Sequence, residues 1–320
     1  MKPTPLWSGA QDDMSGNDPA VAIVVLNWNG WHDTLPCLES LHAVRYPNVR
    51  VIVVDNGSTD ESIAMIRGAH PEATLIETGA NLGFADGNNI GIQRALDSGA
   101  DYVLLLNNDT VVAPDFLGHL VDAVEATPDV HVAGPMVYYF DAPERIWSAG
   151  GAVDWARGDT AMLGLGETDH GQFGDAPRRV DFVTGCALLA SRQAWERVGL
   201  LDGRFFMYFE ETEWCVRAAR AGMGVVQVPL AKVWHKIPLQ AREDSPRVHY
   251  YMTRNRLLFL RRSGAGALTW ARVGFAYVRT LASWSLRPRW RHKRAQRDIM
   301  LRAITDFLRG RFGRAALLGN

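Results

Sequence analysis

The sequence predicts an α/β fold, a mostly parallel sheet flanked by helices and followed by a helical extension. Three observations predict it. Apolar runs of strand length at residues 21–26 (VAIVVL), 49–54 (VRVIVV) and 102–106 (YVLLL) alternate with stretches of helical length. The runs are nearly continuous rather than alternating in polarity, as strands buried on both faces of a parallel sheet are. Each stops at a cluster of Asn, Asp and Gly, which places polar groups at strand carboxyl ends, where open α/β sheets put their ligand sites. With 320 residues, 47% hydrophobic and 22% charged, the chain can build a sizeable core, either as two domains or as one α/β body with an appendage.

In order, residues 1–19 are rich in Pro, Gly, Ser and Asp and lack a basic start followed by an apolar core. They read as a disordered leader rather than a signal peptide. The first strand ends in Asn27, Trp28, Asn29 and Gly30, and a helix over about 33–43 follows. The second stops at Asp55, Asn56, Gly57, Ser58, Thr59 and Asp60, with Ser58 or Thr59 as N-cap of a helix running to about Arg67. A short strand over 73–77 precedes NLGFADGNNIGIQRALDSGA (81–100), which opens as a glycine-bearing loop and closes as a helix. The central strand, 102–106, then meets Asn107, Asn108 and Asp109. Strands and helices alternating at this spacing imply parallel pairing with helices on both faces.

The second half is less regular. Residues 182–186 (FVTGC) read as a strand entering a tight turn, and 205–214 (FFMYFEETEW) lead into a helix that opens with Glu210, Glu211 and Glu213. Acidic residues are electrostatically favoured at a helix start whatever their chemistry. Residues 147–151 and 161–166 read as loop and hairpin material, and 249–255 (HYYMTRN) open a further helix. Three scattered cysteines, Cys37, Cys186 and Cys215, suit neither a disulfide framework nor a zinc site and point to a reducing, cytoplasmic setting.

Charge is distributed unevenly. From residue 261 onward, fourteen Arg and Lys face two acidic residues, Asp298 and Asp306, whereas the body before it is acidic. The tail interleaves its arginines with Trp270, Phe275, Tyr277, Trp284, Trp290, Phe307 and Phe312, and Arg272 and Arg279 interrupt its apolar stretch. It falls short of the roughly 18 to 20 uninterrupted apolar residues of a spanning helix. Basic, Trp-bearing helices of this kind lie in the headgroup plane of a membrane, the alternative being a helical hairpin packed on the body. Nucleic acid is not an expected partner.

Three polar clusters gathered along one sheet edge suggest a nucleotide-sugar site. Asp109, flanked by amides, can bind a hard divalent cation that keeps positions open for phosphate oxygens, although an Asx-rich turn explains the same residues. Asp55 can accept an imide N–H, which is how a protein reads uracil or thymine. The glycines at 83, 87 and 91 let backbone amides approach a ligand at a helix start, or let the helix pack closely.

VVLNWNG, VVDNGSTD, NLGFADGNNIG, LLNNDT and the long segment from FVTGC to VWH resemble the inverting family 2 glycosyltransferases, especially their bacterial rhamnosyltransferase-like branch. The resemblance spans residues 20–260. It implies a GT-A-type, Rossmann-like sheet with a nucleotide-binding half (20–110), an acceptor half (111–260) and the basic tail (261–320) at the membrane surface. It also implies transfer of a sugar from a nucleoside diphosphate sugar, dTDP-rhamnose or a UDP-hexose, to a lipid-linked or polysaccharide acceptor at the cytoplasmic membrane face. Residue by residue, Asp55 matches the base-reading aspartate. Asn27, Asn81, Gly83, Asn89, Asn107, Asn108 and Asp109 match donor contacts, and Thr184, Gly185 and Cys186 lie at the acceptor. Asp109 and His235 match the ligands of Mn2+ or Mg2+, and Glu211 the catalytic base, with Glu210 orienting the site and Glu213 as a lesser candidate. Arg254 is read either as a phosphate contact or as an ordinary interface arginine. The chain departs from the pattern at Asn107, where relatives carry the first Asp of a DxD motif, and at Glu211, where most carry Asp. The first departure keeps a non-catalytic binding protein in play. A sugar nucleotidyltransferase fits less well, because NWNGWHD replaces the glycine- and arginine-rich pyrophosphate loop.

Overall fold

The computed structural model describes residues 18–237 and 245–315, so the expected leader lies almost wholly outside the described residues. The first half runs β1 (Val21–Asn27), α1 (Trp31–His42), β2 (Val49–Asp55), α2 (Ser62–Ala69), β3 (Thr74–Glu77), α3 (Gly83–Asp97) and β4 (Tyr102–Asn107). Its strands pair in parallel in the spatial order β4-β1-β2-β3. Alternate side chains go to opposite faces: Val24, Val54 and Leu105 join the core under α3, while Ile23, Val53 and Leu104 join the core under α1. Both faces being buried, the runs need apolar residues at every position.

Register places the polar tips. Asn27 lies opposite Asp55, and Leu26 lies opposite both Val54 and Asn107, so Asn27, Asp55 and Asn107 emerge along one rim. The glycine-bearing loop expected at 81–89 is mostly helix. A Cβ on Gly87 would come within 2.7 Å of Leu26, and one on Gly91 would collide with Val24, so these glycines let α3 lie close on the sheet. Neither Ser58 nor Thr59 caps α2, which starts at Ser62, with Asp60 accepting the Ser62 N–H at 3.0 Å.

The second half adds β5 (Thr110–Val112), α4 (Phe116–Glu125), β6 (Val130–Tyr139), β7 (Ala142–Ser148), the hairpin β8 (Gly151–Asp154) and β9 (Asp159–Met162), β10 (Arg178–Arg179), β11 (Ala187–Ser191), α5 (Arg192–Val198), α6 (Glu210–Arg220) and β12 (Gly224–His235). β11 inserts between β4 and β6, antiparallel to both. Of the segment expected as a strand entering a tight turn, Phe182 makes only an isolated bridge to Gly151, and the turn at 185–186 leads into β11. β12 runs parallel to β6 and pairs its end with β5, setting His235 opposite Thr110, next to Asp109.

Three helices close the chain: α7 (Pro246–Arg262), α8 (Ala267–Leu286) and α9 (Arg294–Leu308). They fold back on the body. α9 packs along α7, Trp270 stacks on Phe307, and Val273 and Phe307 enter the same core as α3. The other side of α8 is exposed, with Leu268, Phe275, Val278 and Leu286 beside Arg272 and Arg279. Among the described residues no helix is long and apolar enough to cross a membrane.

Candidate active site

The rim is wired from the first strand outward. Asn27 is fully buried, its amide donating to Asp55 Oδ2 at 2.8 Å and its carbonyl oxygen accepting from Thr34 Oγ1 at 2.8 Å. Asp55 also accepts from the Ser58 N–H (2.9 Å) and Ser58 Oγ (2.6 Å). Asp55 thus sits where the sequence places it but turns inward, holding the 56–60 loop. Asn108 donates to Thr34 Oγ1 at 2.9 Å and to the Gly30 carbonyl at 3.3 Å, so it braces the first loop.

Asp109 and His235 meet. Asp109 Oδ1 lies 2.9 Å from His235 Nε2, and Asn107 Nδ2 lies 3.4 Å from that nitrogen. Adjacent ligands of an octahedral Mg2+ or Mn2+ lie about 3.0 Å apart, so the pair fits one hard cation with the remaining positions open. His235 is buried, with Trp147 edge-on at 4.8 Å. Lys236 follows it, donating its N–H to the Asp109 carbonyl at 2.8 Å and pairing its ammonium with Asp33 at 3.1 Å.

The start of α3 behaves differently from the expectation. Asn81 accepts the Gly83 N–H at 2.9 Å, Asn56 accepts the Leu82 N–H at 3.0 Å, and the Phe206 carbonyl accepts the N–H groups of Phe84 and Ala85. These amides are occupied within the protein and do not form an open phosphate cradle. Asn89 is also occupied, exchanging hydrogen bonds with the Leu201 backbone at 2.9 and 3.0 Å. Asn81, Gly83 and Asn89 therefore shape the site without facing a donor.

The carboxylates open α6. The preceding backbone is strained, with Phe206, Tyr208 and Phe209 at φ of 65°, 67° and 74°, in the left-handed region that costs L-residues energy. The Asn255 side-chain amide holds this segment, lying 2.7–2.9 Å from the carbonyls of Phe205, Met207 and Tyr208. Arg254 is buried between Tyr250 and Tyr251 and donates to the carbonyls of Phe205, Arg204 and Gly313. Its guanidinium is a structural clamp, which corrects the reading of Arg254 as a phosphate contact. Among the described residues Arg247, over the Trp28 ring at 5.5 Å, and Lys236 bring positive charge to the rim, and neither stood out from its sequence context.

Glu210 and Glu211 each keep one buried carboxyl oxygen without a hydrogen-bond partner among the described residues. Burial first, and then the Glu211 charge, push Glu210 well above the usual carboxylate range. Burial also raises Glu211, against the pull of the N–H groups of Glu211, Thr212 and Gly185. Glu213 points elsewhere, its carboxylate paired with Arg217 at 2.8 Å and Arg262 at 3.6 Å, so the lesser base candidate is a structural ion pair. A Cβ on Gly185 would lie 3.6 Å from Glu211 Cβ, which puts the 184–186 turn directly against the carboxylates. The Cys186 carbonyl in turn accepts the Asn107 N–H at 2.8 Å. Thr184 Oγ1 accepts the Cys186 N–H at 3.3 Å, holding the turn in shape. A continuous series of contacts therefore joins Asp109 and His235 through Asn107 and Cys186 to Glu211.

Residues 22–194, more than half of the chain, match the family model for glycosyl transferase family 2. The dTDP-rhamnosyl transferase RfbF of Shigella flexneri is 27% identical over 77% of this chain and 83% of its own length. The N-acetylglucosaminyl-diphospho-decaprenol L-rhamnosyltransferase of Mycobacterium tuberculosis is 31% identical over 62% of this chain and 70% of its own. Among solved structures, a mannosyltransferase from Pyrobaculum calidifontis in complex with GDP-Man and Mn2+ superposes over 93% of this chain and 89% of its own, with a TM-score of 0.57 at 17% identity, a likeness of fold. The motifs, the sheet with its rim and these relatives agree that the chain belongs to glycosyl transferase family 2, on its rhamnosyltransferase-like branch, with the GT-A fold.

Proposed function

We propose that the protein is a metal-dependent inverting glycosyltransferase that moves a sugar, rhamnose from dTDP-rhamnose or a hexose from a UDP-sugar, onto a hydroxyl of a lipid-linked or polysaccharide acceptor. The observation that carries this reading is the contact series from the Asp109–His235 pair to the Glu210–Glu211 pair. Asp55, tied to Asn27 and Ser58, orders the loop on which the base-reading position of the family lies. Asp109 and His235 would hold Mn2+ or Mg2+, which would supply positive charge to offset that developing on the departing nucleoside diphosphate. Lys236 and Arg247 add positive charge at the same edge.

Acceptor chemistry belongs to the other pair. In a single in-line displacement the attacking hydroxyl loses its proton as its oxygen meets the anomeric carbon. Glu211 takes that proton, its raised pKa making it a stronger base than an exposed carboxylate. Burial and the Glu211 charge beside it favour the protonated form of Glu210, which lessens repulsion between the two. The 184–186 turn forms the floor on which the acceptor rests.

The named activities of the rhamnosyltransferase relatives favour a deoxyhexose donor. The outward stripe of α8 favours an acceptor at a membrane surface, at the cytoplasmic face. The test is nucleoside diphosphate release from a donor panel with Mn2+ or Mg2+, with product anomeric configuration read by NMR. Glu211→Gln is expected to keep donor-induced thermal stabilisation and to lower kcat by about 10²–10⁴-fold. A variant that transfers as fast as the parent would remove Glu211 as the base, and donor binding without transfer in the parent would favour the non-catalytic alternative that Asn107 raises.

A further inference from the structure

α1 carries the chain away from the rim, and at about 1.5 Å per residue its last residue, His42, sits roughly 16 Å from its first. There His42 meets His70, which caps the end of α2, and Glu72, in the turn before β3. Three atoms converge: His42 Nε2 to Glu72 Oε1, His70 Nδ1 to Glu72 Oε1, and His70 Nδ1 to His42 Nε2 are each 3.2 Å. Side-chain exposures of 14%, 4% and 20% put the cluster under the surface with one side open to water.

Protons alone do not satisfy such a triangle. The carboxylate oxygen only accepts, so if both imidazoles donate to it, two N–H groups face each other. If instead one imidazole keeps a lone pair here, that lone pair faces the carboxylate oxygen. A single positive centre shared by all three atoms removes the conflict. The spacing fits: ligands at 2.0–2.1 Å on a tetrahedral ion stand about 3.3–3.4 Å apart. Glu39 adds an outer partner, its carboxylate 4.0 Å from His42 Nδ1, the ring nitrogen turned away from the cluster.

We propose that His42, His70 and Glu72 form a second metal site, separate from the Asp109–His235 pair, that takes a Zn2+-class ion on three side chains with water completing the tetrahedron. Two imidazoles and one carboxylate favour Zn2+ over Mg2+ or Ca2+. The ion would tie α1, α2 and the approach to β3 together at the foot of the nucleotide half, a structural role.

The experiment uses full-length, untagged protein stripped with chelator, then dialysed against Zn2+ or Co2+. Expected are one equivalent of tightly held metal beyond any at Asp109–His235, a visible Co2+ spectrum of tetrahedral intensity, and a metal-dependent rise in Tm. Asp109→Asn with His235→Gln keeps all three. Glu72→Gln, at the accessible edge, and His42→Gln weaken Zn2+ affinity about a hundredfold or more. No tetrahedral Co2+ signal in the parent, or undiminished binding in Glu72→Gln and His42→Gln, overturns the site. If His42→Gln fails to fold, Glu72→Gln decides.

Discussion

The adjacent carboxyls Glu210 and Glu211 are the most informative residues. Both are raised by burial, Glu210 further because Glu211 is beside it. A carboxyl with a raised folded-state pKa favours folding in its protonated form. That contribution is fully present below the ordinary value near 4.5 and is lost as pH rises through the folded-state value. Glu210→Gln, which cannot ionise, is therefore expected to raise Tm at pH ~8 and to change it little near pH 4.5, as differential scanning fluorimetry across pH would show. With Glu211 in its proposed role as base, the rate of transfer is expected to fall as the solution is acidified through the Glu211 transition, which a pH–rate profile would show. Asp109, His235 and Glu211 were singled out through the motifs that carry the family resemblance, and the fold brings Asp109 and His235 into contact. Arg254 and Asn89 were not. Their hydrogen-bond partners, Gly313 and Leu201, lie 59 and 112 residues away, and no local pattern encodes such a pairing.

The strained loop before α6 and the first turn of α3 are one structural unit. Gly83, at φ +85°, admits Phe206 where a side chain would collide, and the Phe206 carbonyl receives the first amides of α3. Gly83→Ala is expected to lower stability by more than about 1 kcal/mol in chemical denaturation, because the φ is unfavourable and the space is filled. Asn255→Ala leaves three carbonyls without their shared donor and is expected to cost about 1–3 kcal/mol or more, with kcat falling further than donor affinity as α6 loses its alignment. Isothermal titration with donor, set beside steady-state rates, separates the two effects. Element order and type in the first half were readable, because continuous apolar runs and polar tips recur there at a steady interval. The antiparallel β11 was not: the turn in FVTGC was readable, but its pairing partners β4 and β6 lie about 55 to 90 residues back and no local pattern encodes them.

Across the whole molecule, the acidic body and basic tail form one packed unit, so removing residues 261–320 would strip Val273 and Phe307 from the core. Membrane association is better tested on the outward stripe of α8. Leu268→Ser, Phe275→Ser and Val278→Ser together are expected to abolish flotation with anionic vesicles while Tm stays within about 2 °C, since these side chains are more than half exposed. Equal flotation would assign the stripe to another partner. The basic and aromatic character of this tail was legible from composition, whereas its docking against α7 was not, because a sequence periodicity does not say which surface a helix will meet.

Arg254, which grips the loop before α6, also grips the carbonyl of Gly313. One guanidinium thus fastens two stretches of chain far apart in sequence, so a disturbance at Gly313 is transmitted to the hinge from which α6 springs.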